Sequence, residues 1–281
     1  MIYAHFRPIP ELAPFIDCFW IIKSSAIPGV TPKVRMPADS RPTMLLSFAG
    51  DSRFVADNGG MSRLSSGADL LGAHAESYIL EHDGDTDLVA AQFRAGGLAP
   101  FVSCGIDELS GRATPVSLLW GGAGNRILER AGEAESVEGK LLAFQESLVE
   151  RLSETSRKSD IERVTAALRI AGRSAPIDRL AEQVNLSQKQ FERSFTRVVG
   201  MMPKRYFRLA RFQRIARFLT RSRNGVAIDW AGMALKFGYY DQSHMTKDFQ
   251  DFAGISPGKF SAATLGVVEV VYGDRAGFGK V

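Results

Sequence analysis

FGYYDQSHMTKDFQDFAGISPGKF, residues Phe237–Phe260, repeats a pattern found 54 residues upstream. Laid over Ser187–Phe207, SQKQFERSFTRVVGMMPKRYF, the segment Asp241–Ser261 puts Gln188 on Gln242, Phe195 on Phe249, Gly200 on Gly254 and Pro203 on Pro257. Phe191 falls on Met245, Arg193 on Lys247 and Tyr206 on Phe260. Just before each copy, LAEQVN (Leu180–Asn185) corresponds to MALKFG (Met233–Gly238). The repeated unit is a short helix, a tight turn, a second helix, then Gly, two residues and Pro. The turn needs a residue that tolerates the left-handed region, which Asn185 and Gly238 supply. Ser187 and Asp241 are N-cap residues. Phe191, Phe195 and Val198 form one apolar stripe, matched by Met245, Phe249 and Phe252. Gly200 and Gly254 end the helices as C′ residues, and the prolines stop them or start the next. This is a helix-turn-helix whose second helix can enter a major groove.

Asp241, Ser243 and His244 lie within four residues. They are not read as a hydrolase site, because a triad needs three side chains converging on one reacting centre. Adjacent positions along one helix do not converge. A metal site at His244 would need a second His or Cys one turn away, and the sequence has none there.

Two such units ending in G-x-x-P resemble the AraC/XylS family of bacterial transcription regulators, over about Ile161–Phe260. Asn185 stands where Gly is usual in that family. The apolar stripe takes one side of each helix. The other side leaves Lys189, Gln190, Glu192, Arg193 and Arg197 in the first unit. In the second it leaves Gln242, Ser243, His244, Thr246, Lys247 and Gln250. The resemblance carries base contact onto Lys189, Glu192 and Arg193, then Gln242, Ser243, His244 and Lys247. The chemistry of these side chains suits base contact, since Arg or Lys pairs with guanine, Gln with adenine, and Glu accepts from cytosine. Asp248 and Asp251 are poor phosphate contacts, so part of that helix is expected to face away. Between the units, Pro203–Ser222 reads as one long helix with Arg at 205, 208, 211, 214 and 217. A step of three winds backward around the axis, so some of these arginines must pair internally or be solvated.

The charge distribution is split. Residues 160–262 hold 18 Lys+Arg and 9 Asp+Glu, a net +9; the rest hold 17 and 22, a net −5. A basic third joined to an acidic remainder fits a nucleic-acid-binding module attached to something else. The chain has 281 residues, room for two domains. Its 45% apolar and 23% charged content is that of an ordinary soluble globular protein. No apolar run is long enough to cross a bilayer, and MIYAHFRPIPEL lacks a secretory layout. Cys18 and Cys104 form no CxxC pair. A reducing cytoplasm is the expected setting.

Residues 1–120 favour strands: Met44–Gly50, Ser77–His82 and Asp87–Gly97 are apolar or alternating runs. Asp51–Asp69 is polar and Gly/Ser-rich and reads as loops and turns. Leu141, Phe144, Leu148 and Leu152 give helical spacing over Val137–Ser153, a connecting helix that could serve a dimer contact or pack on its own domain. Ser153–Asp160 is the linker candidate. The expected domains are 1–155, β-rich with the connecting helix; 160–262, all-α and DNA-binding; and a tail, 263–281. VVEVVY in that tail reads as an edge strand for the N-terminal sheet.

In regulators of the family, the non-DNA domain commonly senses a small molecule or mediates dimerisation, often on a cupin-like β-barrel. LAPFIDCFWIIKS (Leu12–Ser24), the Pro37–Asp39 turn and AAQFRAGG (Ala90–Gly97) resemble an effector-domain type found in such regulators, with Ala95 where Pro is usual. The fold class expected is therefore α+β in two domains: a cupin-like barrel, then a tandem helix-turn-helix. Trp20, Met36, Arg41, Phe48, Phe93 and Arg94 are the candidate pocket residues, with barrel core as the plain alternative. His5, His74 and His82 lack the clustered spacing of a metal-binding cupin, so neither metal nor cofactor is expected. Double-stranded DNA is the expected partner, with a small-molecule effector, RNA polymerase and a second copy of the chain as candidates. No membrane partner and no enzyme activity are expected. Two alternatives stand beside this: a dimerisation or protein-contact module without a ligand, and a cupin-type enzyme fused to a DNA-binding domain.

Overall fold

The computed structural model describes residues 2–26, 28, 31, 33–56, 61–64, 67–153, 159–171, 176–221 and 228–263. The tail from 264 onward lies outside them, and so does most of the linker candidate. The strands are β1 (Ile2–Phe6), β2 (Ile16–Ser24), β3 (Lys33–Met36), β4 (Thr43–Ala56), β5 (Met61–Leu64), β6 (Gly67–Leu71), β7 (Tyr78–Phe93) and β8 (Ala113–Pro115). They form one antiparallel sheet in the order β1-β2-β7-β4-β6-β8, with β3 added to β7 and β5 to β4.

Among the described residues this path does not close, since β1 and β8 are its two ends. The expected cupin-like barrel is thereby corrected to an open sheet. The sheet still curls: Tyr3 and His5 from one end and Leu71 from near the other line the same cavity. A second correction concerns Asp51–Asp69. It holds the outer half of β4, then β5 and β6, rather than loops alone. Isolated apolar residues such as Phe54 and Leu64 suffice to bury its inner face, an alternation too sparse to stand out in the sequence. Likewise β7 runs unbroken through Asp83-Gly84-Asp85. Its partner β4 bulges opposite, where the register shifts between Ser47 and Asp51. Gly50, at φ 76°, allows this, because a Cβ there would sit 2.1 Å from the Asp85 carbonyl oxygen.

The strand period of two divides the sheet into faces. Phe19, Ile21, Met44, Leu46, Val89, Ala91 and Phe93 point into the main core. Trp20, Leu45, Leu88 and Ala90 point the other way, into a separate apolar cluster. Helices α1 (Val116–Trp120), α2 (Gly122–Gly132) and α3 (Val137–Ser153) supply the core side. Phe144 meets Phe19 edge-on at 5.6 Å, and Leu141 and Leu148 are buried beside it. These three residues of the α3 stripe are thus covered within the chain.

The rest is helical: α4 (Ser159–Ile170), α5 (Ile177–Gln183), α6 (Gln188–Val199), α7 (Pro203–Arg221), α8 (Trp230–Lys236), α9 (Gln242–Ala253) and α10 (Pro257–Ala263). Its core residues belong to the same cluster as the strand-rich half. Gly200, at φ 91°, closes α6 against that half, and Ser110 Oγ donates to its carbonyl at 2.6 Å.

Candidate functional sites: two reading helices and a lined cavity

In the first unit α5 and α6 flank a turn where Asn185 has φ 55°. Ser187 caps α6 through a reciprocal box: the Gln190 N–H donates to Ser187 Oγ at 3.3 Å, and the Ser187 N–H donates to Gln190 Oε1 at 3.0 Å. In the second unit Gly238 takes φ 81° between α8 and α9. Asp241 caps α9, accepting from the His244 N–H at 2.7 Å. The stripes Phe191, Phe195, Val198 and Met245, Phe249, Phe252 are all buried.

The outward side chains are not equivalent. Lys189, Arg193, Gln242, Ser243 and Lys247 are exposed, and Thr246 is half-buried. Gln190 is exposed but its amide oxygen belongs to the cap. Half-buried Glu192 accepts from Gln188 Nε2 at 2.9 Å. The stem of Arg197 passes Gly105 of the strand-rich half. His244 is exposed, yet its ring lies edge-on to Tyr239 at 5.2 Å and its Nε2 is 3.5 Å from Arg211 Nη2.

The arginines of α7 are largely spoken for. Arg205 Nη2 donates to the Ala75 carbonyl at 2.7 Å. Arg208 bridges Asp248 and Asp251, each at 2.6 Å. Burial weakens the charge on Arg208, but hydrogen bonds and charge from both carboxylates outweigh it and raise its pKa. Arg211 stacks on Tyr239 at 4.3 Å and reaches Asp248 at 3.5 Å. Asp248 is fully buried. Asp248 therefore faces inward, and exposed Asp251 shares its ion-pair partner Arg208.

The second candidate is a cavity of about 490 Å³ on the concave face of the sheet, within the size range of small-molecule sites. Trp20, Leu45, Phe54, Tyr78, Leu80 and Leu88 supply apolar wall. One end is charged. Arg41 donates to Asp39 through Nε at 2.9 Å and Nη2 at 2.6 Å, and to Asp17 through Nη1 at 3.2 Å. Arg94 reaches Asp17 at 3.4 Å. Arg217 joins the lining from α7, so the helical half closes part of the cavity. Burial alone would raise the Asp39 pKa, but the charge and hydrogen bonds of Arg41, with the charge of Arg217, hold it below the ordinary value.

Asp39 also ties the two halves together. Gln213 Nε2 of α7 donates to its carboxylate at 3.0 Å. Next to it, the Ala38 N–H donates to the Phe252 carbonyl of α9 at 2.7 Å. Both backbone groups of Asp39 pair with His74, at 3.0 and 2.7 Å.

Of the candidate pocket residues, Trp20, Met36, Arg41 and Arg94 line the cavity. Phe93 lies in the main core and Phe48 packs against it, because both share the parity of Met44 and Val89. Lys140 Nζ sits 4.0 Å over the Phe48 ring. The sequence reading missed Asp17, Asp39, Tyr78, Leu88 and Arg217, and it weighed His74 only as a metal ligand. The parity of Trp20 would have found Leu88; nothing local marks Arg217. His5, His74 and His82 sit apart, the first against Tyr3, the second against Phe54 and Tyr78, the third against Ser52. Among the described residues no group of three or more potential ligands is placed to hold a metal ion, and no helix is long and apolar enough to cross a membrane.

Residues 180–263 match the family described as a helix-turn-helix domain, and residues 4–115 match a domain of unknown function, DUF6597. A protein from Haemophilus influenzae, described as an uncharacterized HTH-type transcriptional regulator, is 32% identical over 84 residues, 30% of this chain and 27% of that one. The chain thus spans little more than a quarter of that relative's length. Among solved structures, ToxT from Vibrio cholerae aligns with a TM-score of 0.47 at 10% identity, over 83% of this chain and 97% of that one. A ToxT structure with bound unsaturated fatty acid gives 0.44 at 9%, over 88% and 99%. The AraC-like transcriptional activator CuxR gives 0.30 at 12%, over 76% and 94%. At its C-terminus the chain carries an AraC-type helix-turn-helix domain.

Proposed function

We propose that the protein is a sequence-specific, cytoplasmic, DNA-binding transcription regulator whose N-terminal half binds a small effector. Residues 160–262 are the DNA-binding domain and residues 1–155 the sensing domain. Lys189, Arg193, Gln242, Ser243 and Lys247 read base edges, with Glu192, His244 and Thr246 beside them. Gln190, whose amide oxygen also serves the cap, and exposed Arg197 complete the DNA-facing set. The observation that carries this is the pair of capped helices with exposed polar outer faces in one basic domain. Two reading helices on one chain suit two successive major-groove turns, roughly 34 Å apart, and so an asymmetric site.

Effector control has its own support. The cavity is lined from both halves, and Asp39 bonds to its wall and to Gln213 of α7. A ligand shifts DNA affinity only so far as it binds the two arrangements of the halves differently. Dimer formation and contact with RNA polymerase belong to the same reading as further partners.

Selection of DNA sites from a random library by the full-length protein, at physiological salt, tests it. Two short motifs about one helical turn apart are expected. Salt-sensitive binding without any enriched motif would refute sequence reading.

A further inference from the structure

We propose that the cavity takes an uncharged, flat ligand bearing a hydroxyl group, and that His74 is the residue that recognises that group. This rests on the reading of the cavity as a ligand site.

Three observations on the cavity wall converge. First, the wall around His74 is aromatic. The His74 ring lies nearly parallel to Phe54, 5.7 Å away at an interplanar angle of 15°. It is also 4.7 Å from Tyr78, and Phe54 and Tyr78 are themselves 4.5 Å apart. All three line the cavity. Such a wall favours a flat ring system over a branched or strongly hydrated molecule.

Second, among the described residues His74 Nε2 is shut off from solvent and has no hydrogen-bond partner. A buried polar atom left unpaired is costly, and polar groups inside an otherwise apolar site commonly fix a ligand's orientation. The backbone of His74 is already committed to Asp39 on both sides, which holds the ring's base in place. The side chain is the part left to pair with a ligand.

Third, the charged side chains of the cavity are engaged with one another. Asp17 and Asp39 hold Arg41 and Arg94 at one end, where Arg217 joins the lining. An anion at that end would have to compete with both carboxylates for the guanidiniums. At His74 itself, burial lowers the pKa to about 4 against the opposing charge of Asp39, so the ring is neutral near pH 7. A neutral imidazole offers one donor and one acceptor. A hydroxyl can use either without bringing a charge into an apolar wall, whereas a carboxylate there would carry a large desolvation cost.

The test uses the full-length protein and three probes of one shape: 2-naphthol, naphthalene and 2-naphthoate, with binding followed by fluorescence near pH 7. The expected order puts 2-naphthol about tenfold tighter than both others, as one buried hydrogen bond would give. His74→Phe keeps a ring in place and should make 2-naphthol and naphthalene bind alike. Equal binding of these two by the wild type overturns the inference. So does tightest binding of 2-naphthoate, or a hydroxyl preference that survives His74→Phe. The wild-type ranking stands even if the variant fails to fold. If none of the three binds, the inference falls together with the reading of the cavity as a ligand site; loss of discrimination alone leaves that reading intact.

Discussion

Helices α6 and α9 occupy equivalent places in the repeat but are secured by different physics. Beneath α6 the equivalent of Asp248 is Ser194, and the helix rests on apolar contacts and on Gly200 against Ser110 and Ile106. Beneath α9 a fully buried Asp248 answers to Arg208 and Arg211. Both units bury an apolar stripe, and the second adds a buried ion pair. A sequence repeat therefore preserved caps, stripes and stops while its two copies found separate means of attachment.

The difference can be broken most forcefully at the ion pair. Arg208→Ala leaves Asp248 buried with Arg211 alone, 3.5 Å away. A loss of about 3 kcal/mol is expected in denaturant unfolding, near the lower end for breaking a buried pair. A loss below about 1 kcal/mol would place α9 on the same apolar footing as α6. Next in size is Gln213→Leu, which removes a hydrogen bond to the charged Asp39. It should cost about 1.5–3 kcal/mol and alter DNA affinity in the absence of any small molecule. Unchanged affinity would disconnect Asp39 from the reading helices.

At the DNA itself, Arg193→Ala should weaken binding to the selected site by about 1–3 kcal/mol and relax preference at one base pair. An unaltered preference would remove Arg193 from the reading face. The turns offer a finer comparison. Among the described residues, chain neighbours aside, Gly238 has no atom within 4 Å of where a Cβ would stand, so its φ of 81° is the constraint. Gly238→Val should cost about 1–2 kcal/mol, while Asn185→Gly should change stability by less than about 0.5 kcal/mol. Equal effects would mean that the two turns do not share one geometry.

A further comparison concerns acid. The unfolded chain takes up a proton at His74 near pH 6.5, which the folded chain refuses until about pH 4. The unfolded state binds more protons across that window, so stability rises with pH there and is lost as pH falls from 6.5 towards 4. His74→Phe should flatten the curve between those values in pH-dependent melting.

The helical half was legible because its constraints are local. A cap, a stripe at three and four, a left-handed turn and a C′ glycine all lie within 20 or so consecutive residues, and they recur. The strand-rich half was legible only in part. Its longest strands cross polar bulges, and Phe54 and Leu64 are buried within a largely polar stretch. Phe48 and Phe93 have aromatic character suited to a pocket, but strand parity sends them to the main core. Arg217 lies nearly 200 residues from Trp20 in the chain, and only tertiary structure brings the two to one cavity. The ion pairing of Asp248 was half visible: its side chain was a poor neighbour for phosphate, but its partners depended on how α7 lies beneath α9.

The bond from the Ala38 amide to the Phe252 carbonyl joins main chain to main chain. Neither side chain takes part in it, and proline at 38 would abolish it, since proline has no N–H to give. Side chains around it can drift through many generations of relatives without loosening that joint. Two descendants of one ancestor could differ at neighbouring positions and still inherit the same joint. Comparison of letters alone would pass over it.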